Sequence, residues 1–281
     1  MKRKIKYFSG LLIGALAMFL WITMNEIPNN QIEQPTNTIA MNEHEQQFDS
    51  LKEQQVEVER LLPLHEHKAS GANEVDFQQL AQTTTADSAL LKTQKVVALT
   101  FDDGPHSVHT DRILRILADY NIRATFFMLG SMVEKHPNVA QAVVAQGHQI
   151  GNHSWNHKNF QKLTIEQVQN DLKKTSAKIV EVTSVSPTIY RPPYGSTNAA
   201  IRNATALEEV LWSVDTLDWK TRDPQKILNE VKRQVHPNAN ILLHDIHETS
   251  ADAVRPIVKF LLKEGYVFVT VDELLLLEEN E

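Results

Sequence analysis

From Lys95 onward, short apolar runs alternate with longer amphipathic segments, and this alternation limits the fold more than any single residue does. Strands are predicted over Val96–Phe101, Ala124–Met128, Gln149–Gly151, Thr188–Tyr190, Glu209–Trp212, Asn240–Leu243 and Tyr266–Val269. Between them the spacing of apolar residues predicts helices such as Thr110–Tyr120, Met132–Gln146, Ile165–Val182, Pro224–Val235 and Ala251–Glu264, several preceded by a polar residue suited to an N-cap. Six or seven strand-then-helix units in fewer than about 190 residues argue for an α/β domain with a parallel sheet, barrel-like or doubly wound. A complete eight-unit barrel typically takes about 250 residues, so any barrel here should be compressed or incomplete.

The N-terminal third has a different texture. Lys2, Arg3, Lys4 and Lys6 precede an uncharged stretch from Phe8 to Met24, which as a helix rising about 1.5 Å per residue reaches roughly 25 Å, close to the apolar thickness of a bilayer. No small-x-small cleavage site follows closely, Thr38-Ile39-Ala40 lying far beyond. The expectation is an uncleaved signal anchor over residues 1–24, a single pass of the cell membrane with its basic end in the cytoplasm and the rest outside; a cleaved signal peptide is the alternative. Residues 25–93 are rich in Asn, Gln, Glu and Thr and read as an extracellular stalk or small accessory region, with a broken helical stripe at Leu51, Val56, Val58, Leu61 and Leu62. Residues 94–281 are left as the α/β domain.

Composition excludes several classes. A net charge of -7 over 281 residues speaks against a nucleic-acid partner. The absence of cysteine rules out disulfides, thiolate metal sites, a cysteine nucleophile and a lipid anchor on cysteine.

Chemistry-bearing residues recur where the predicted strands end. Asp102 and Asp103 close the first strand ahead of the turn pair Gly104-Pro105, a position where one carboxylate can hold a metal and its neighbour can handle a proton. Taken alone, Asp-Asp-Gly reads more readily as a solvated turn. Fifty residues on, His153 and His157 follow another strand at a spacing that offers two imidazole nitrogens to a divalent ion. With Asp103 they would form a site of two nitrogens and one oxygen with open positions, as a catalytic metal requires. His148 lies before that strand and is read as a surface or packing residue. Arg191-Pro192-Pro193-Tyr194-Gly195 offers a rigidly held guanidinium that could orient a carboxylate, or an ordinary turn with an exposed arginine. Trp212 to Trp219 contains Asp215 and Asp218, and Ile241-Leu242-Leu243-His244 ends in a histidine that is either packed or a candidate general acid.

Together these segments resemble the polysaccharide deacetylases, carbohydrate esterase family 4, with its NodB homology domain. The family's five motifs occur in order as TFDDGP at Thr100–Pro105, HSWNH at His153–His157, RPPYG at Arg191–Gly195, DTLDW at Asp215–Trp219 and LLH at Leu242–His244. The resemblance spans roughly residues 95–275 and implies a distorted, incomplete (β/α) barrel of the NodB type. It implies that Asp103, His153 and His157 hold one divalent metal ion, most often zinc, with cobalt or another ion able to substitute. Asp102 is implied as the general base toward the attacking water and His244 as the general acid toward the departing sugar amine. Asp218 would pair with His244, and Arg191 would orient Asp102 and hold it ionised. The Tyr194 backbone N–H would stabilise the oxyanion, while Leu243 and Trp219 wall a pocket for the acetyl methyl beside Pro193 and Tyr194.

With an anchor and stalk, the chain looks like the membrane-bound peptidoglycan N-acetylglucosamine deacetylases of Gram-positive bacteria, which implies a cell-wall glycan as substrate and acetate as product. Chitooligosaccharide, poly-N-acetylglucosamine and acetylated xylan are alternatives served by the same catalytic set. A carbohydrate-binding module keeping a structural metal would have no use for Asp102 or His244, both of which are present. A cytosolic metal amidohydrolase would not need the apolar stretch from Phe8 to Met24. Oligomeric state is left open.

Overall fold

The structure, a computed structural model, describes residues 94–278; the expected anchor and stalk lie outside the described residues. The strands are β1 (Lys95–Asp102), β2 (Thr125–Met128), β3 (Gln149–Asn152), β4 (Ile189–Tyr190), β5 (Glu208–Glu209), β6 (Val214–Asp215), β7 (Ala239–His244) and β8 (Tyr266–Val269). The helices are α1 (His109–Asp119), α2 (Gly130–Lys135), α3 (Pro137–Ala145), α4 (Ile165–Thr183), α5 (Ala199–Arg202), α6 (Asp218–Thr221), α7 (Pro224–Gln234), α8 (Glu248–Lys263) and α9 (Val271–Glu278). Among the described residues no helix is long and apolar enough to cross a membrane.

Every strand pair is parallel, in the order β5-β4-β3-β2-β1-β7-β6, with β8 also on β1. β1 pairs along Val97–Asp102 with β7, while its start pairs with β8 and its end with β2. Among the described residues the end strands β5 and β6 do not pair with each other, so the sheet curls into an open parallel barrel, in keeping with the segment count.

A strand buried on both faces reads as a continuous apolar run, and β1, KVVALTFD, is buried from Val96 to Asp102. Its alternate residues serve two cores. Val97, Leu99 and Phe101 pack with Ile241 and Leu243 of β7 and with helix residues including Ile113, Leu117 and Ile257. Val96 and Ala98 face the other way, with Val267, Val269 and Phe127. Thr100 and Asp102 continue that second face, where the side chains turn from apolar to polar at the strand's carboxyl end.

Two expected elements differ. The helix predicted over Met132–Gln146 divides at His136 (φ -129°, ψ 55°), because Pro137 opens α3 and bars its predecessor from helical geometry. The strand predicted over Glu209–Trp212 contracts to Glu208–Glu209, and a strand not foreseen forms at Val214–Asp215. The Val210 and Leu211 carbonyls accept from the Arg191 guanidinium, and Leu211 also from the Asn240 amide, so they are spent on side chains rather than on a neighbouring strand.

Candidate metal centre and active site

The strand register brings the distant motifs to one level. Asp102 of β1 lies directly beside His244 of β7 and Phe127 of β2. His153 N donates to Met128 O at 3.0 Å, and Arg191 N donates to Asn152 O at 2.9 Å, so β3 and β4 deliver His153 and Arg191 to the same rim. Carboxyl ends of parallel strands leave their last residues free to turn inward, which is why α/β barrels collect chemistry there.

Asp103, His153 and His157 offer three ligand atoms that all lie within 4.8 Å of one another. Asp103 Oδ1 stands 3.5 Å from His153 Nε2 and 3.4 Å from His157 Nε2. His153 Nδ1 is 2.7 Å from the Arg191 carbonyl, which can only accept, so the proton sits on Nδ1 and Nε2 presents a lone pair. Asp103 (φ 76°) and His157 (φ 61°) both hold left-handed backbone, a strained conformation in non-glycine residues that clusters at functional sites.

The decisive atom is Asp103 Oδ1, which is buried and makes no hydrogen bond. Burial raises the Asp103 pKa, but the approach of His153 and the charges of His153, His157 and His244 outweigh it and hold the group at about 2. An ionised, buried, unpartnered oxygen between two imidazole nitrogens fits a divalent cation of borderline character such as zinc.

Arg191 is fully buried and uses its whole guanidinium fork. Nη1 donates to Asp102 Oδ1 at 2.8 Å and to Thr100 Oγ1 at 2.9 Å. Nη2 donates to Leu211 O and Asn240 Oδ1, both at 3.1 Å, and Nε donates to Val210 O at 3.3 Å. Its Cζ lies over the Phe127 ring, 4.0 Å from the centroid. Asp102 is thus held on one oxygen by the arginine, while its other oxygen, Oδ2, lies 3.6 Å from His153 Nε2.

Asp218 anchors the opposite side. Its Oδ1 accepts from His244 Nδ1 and Trp219 N at 2.8 Å, and its Oδ2 accepts from His244 N at 2.7 Å and Ser250 Oγ at 2.6 Å. Burial would raise the Asp218 pKa, but these bonds lower it. Burial works against the charged form of His244, yet Asp218 lifts its pKa to about 9. With Nδ1 engaged, Nε2 is the nitrogen left for a substrate.

The remaining expected residues fall on both sides of the mark. Tyr194 stands 66% exposed at the rim, with left-handed backbone (φ 62°) and its ring edge against His157; Trp219 is exposed too, and Pro193 is buried beneath. Leu243 is a correction. It points into the core between sheet and helices with Phe101, and the neighbour that shares the inner face with Asn240 and His244 is Leu242. His148 packs on Phe126 and caps Ala124 N, a buried residue rather than a surface one.

Four supporting residues went unforeseen: Thr100, Asn240, Ser250 and Asp245. Thr100 and Asn240 carried a signal, being polar residues two and four positions before Asp102 and His244 in otherwise apolar strands. Asp245 is buried and accepts from Thr110 Oγ1 at 2.5 Å. Burial, opposed by the Thr110 bond and reinforced by the charge of Asp103, raises its carboxyl to about 7. A Cβ on Gly104 would fall 2.2 Å from Asp245 Oδ2, so the turn after Asp103 needs glycine to admit this carboxyl.

A family profile described as polysaccharide deacetylase matches residues 91–209. A peptidoglycan-N-acetylglucosamine deacetylase of Bacillus cereus is 36% identical over 190 residues, covering 65% of this chain and 89% of that protein. The chain belongs to the polysaccharide deacetylase family. This deacetylase-family chain is also 41% identical over 181 residues to the peptidoglycan-N-acetylmuramic acid deacetylase PdaC of Bacillus subtilis, covering 64% of this chain and 39% of that protein, so it spans about two fifths of that relative's length. A solved structure of peptidoglycan deacetylase PdaC from Bacillus subtilis superposes with a TM-score of 0.65 at 39% identity, covering 67% of this chain and 94% of the solved one.

Proposed function

We propose that this protein is a metal-dependent deacetylase that hydrolyses the acetamide of N-acetylglucosamine residues in a cell-wall polysaccharide, peptidoglycan before other glycans, releasing acetate. The observation that carries the reading is the buried, unpartnered Asp103 Oδ1 between two imidazole Nε2 atoms, flanked by Asp102 on the arginine side and His244 on the Asp218 side. Three protein ligands with open positions are the arrangement of a hydrolytic rather than structural ion.

Asp103, His153 and His157 would hold the ion. When bound, a divalent ion lowers the pKa of water toward about 7 and polarises a carbonyl. Asp102, charge-paired with Arg191 and adjacent to His153, is the group that takes the proton from the attacking water. The Tyr194 N–H would donate to the oxygen on which charge develops. His244, kept protonated at neutral pH by Asp218, gives its Nε2 proton to the departing amine, without which that amine leaves poorly. Leu242 and Trp219 would shelter the acetyl methyl.

The substrate reading is supported by what the relatives are named for and by the sequence ahead of the domain. A basic, then uncharged N-terminus over residues 1–24 and a polar stretch over 25–93 would hold the catalytic domain at the outer face of the cell membrane, within reach of the wall. Protease treatment of intact cells should then cut residues 25–93 and release the domain. The reaction itself is tested by stripping the protein with chelator, restoring zinc, and measuring acetate from purified peptidoglycan, chitooligosaccharide and acetylxylan. Release from peptidoglycan that needs zinc is expected, whereas activity on acetylxylan alone would overturn the wall-glycan reading.

A further inference from the structure

A groove of about 500 Å³ opens beside the candidate metal centre, lined by His157, Lys158, Asn159, Lys162, Leu163 and Tyr194. It adjoins a second groove of about 320 Å³ that shares Lys158 and Leu163 and continues along Trp155 and Lys174. A polymer reacting at the centre would therefore run past lysines, on a chain whose net charge is -7. Among the described residues neither Lys158 nor Lys162 forms an ion pair. The near carboxylate, Asp171, feels the charges of Lys158 and Lys174 without forming an ion pair with either, and it accepts from Trp155 N at 2.7 Å. Lys178, by contrast, is answered by both Glu134 and Glu181.

The turn that carries these lysines is rigidly held. Phe160, between them, is fully buried with Val168, Leu172 and Tyr190. Asn159 Oδ1 accepts from Gln161 N and Ser196 Oγ, both at 2.9 Å, and Gln161 Nε2 donates to Thr197 O at 2.7 Å. These bonds tie the turn to the segment that presents Tyr194, so only the lysine side chains would lose freedom on binding.

Two ammonium groups outside any ion pair, next to the reacting sugar, suit an anionic glycan better than a neutral one. We propose that Lys158 and Lys162 form a cationic subsite for a carboxylate carried by the sugar adjacent to the one being deacetylated, so that an anionic, carboxylate-bearing glycan is preferred over a neutral N-acetylglucosamine polymer. This rests on the deacetylase reading above. The carboxylate has two chemical sources in a wall glycan, a lactyl ether on the neighbouring sugar or a peptide attached to it.

The test compares the zinc-loaded protein with its Lys158→Gln/Lys162→Gln variant on three tetrasaccharides: all N-acetylglucosamine, alternating with free lactyl carboxylates, and the same bearing peptides. Exposed ammonium groups contribute modestly, so the variant should lose about three- to tenfold in kcat/KM on a carboxylate-bearing substrate, through KM, and nothing on the neutral one. About 0.5 M salt should erase the wild-type preference. The arm that suffers identifies the carboxylate. Equal loss on the neutral tetrasaccharide, or no loss on either anionic one, overturns the subsite. If no glycan yields acetate, the deacetylase reading fails instead. Calorimetric binding of the same three oligomers then decides the subsite, which stands if binding needs both the carboxylate and the lysines and falls if the neutral oligomer binds equally.

Discussion

Asp102 and Asp103 are adjacent in the chain, yet their surroundings differ and suit them to the different work proposed for them. Asp102 is the last residue of β1 and meets a saturated arginine, whereas Asp103 has left the strand with φ 76° and meets two imidazoles. Asp102→Asn should therefore cut kcat by about 10²–10⁴, the usual worth of a proton-transfer group, while the protein keeps its zinc. His153→Ala should lose both. Acetate release and bound zinc measured on the same samples separate the cases; near-full activity in the Asp102→Asn protein would refute its role as base. His244 differs again, being lifted to about 9 by Asp218. In the metal-free protein its imidazole should titrate near that value by NMR, and Asp218→Asn should bring it down toward the ordinary histidine value of about 6.5. A pKa raised on folding stabilises the native state fully below the unfolded value. That contribution of the His244–Asp218 pair therefore persists at neutral pH and drains away as pH rises through about 9.

At the scale of the element, strand alternation decides what a side chain can do. Leu242 and Leu243 are neighbours of one type, and one step along β7 turns one toward the site and the other toward the helices. Leu243→Ala should cost about 2–5 kcal/mol in denaturant unfolding with KM unchanged, since it empties a packed core. Leu242→Ala should show the reverse balance, raising KM more than it lowers stability. Most strand positions were legible from apolar runs, and α4 starts where the apolar spacing put it, at Ile165, behind a Thr164–Gln167 capping box that the structure shows. The irregular stretch from Val210 to Ser213 was not legible, because what keeps it out of the sheet is a guanidinium nineteen residues earlier in sequence.

At the scale of the described domain, one curled sheet gathers residues from Asp102 to His244 around the buried, ionised Asp103, whose Oδ1 makes no hydrogen bond. A bound cation should therefore stabilise the fold. At zinc a hundredfold above its dissociation constant the gain is about 2.7 kcal/mol, read as a fall in Tm on chelation. That gain should shrink in acid. Burial opposes protonation of His153, but Asp102 and Asp103 prevail and raise its pKa, so protons begin to displace the ion at a higher pH than for a free imidazole. A Tm difference between zinc-loaded and chelated protein that stays constant down to pH 5 would contradict this.

The sequence by itself determined the class of fold, and it singled out the candidate metal ligands as a set and the candidate acid and base. Each was written locally: alternating periodicities, a carboxylate pair, two histidines four apart, a histidine ending an apolar strand. Only the tertiary structure decided how they are supported. The Thr100–Asn240–Arg191 network, the burial of Asp218 under four hydrogen bonds, the facing of Leu242 over Leu243 and the groove lysines by His157 all depend on which strands lie side by side. Register and pairing are long-range properties, set by how two faces of one sheet fill two cores at once, and no local pattern encodes them.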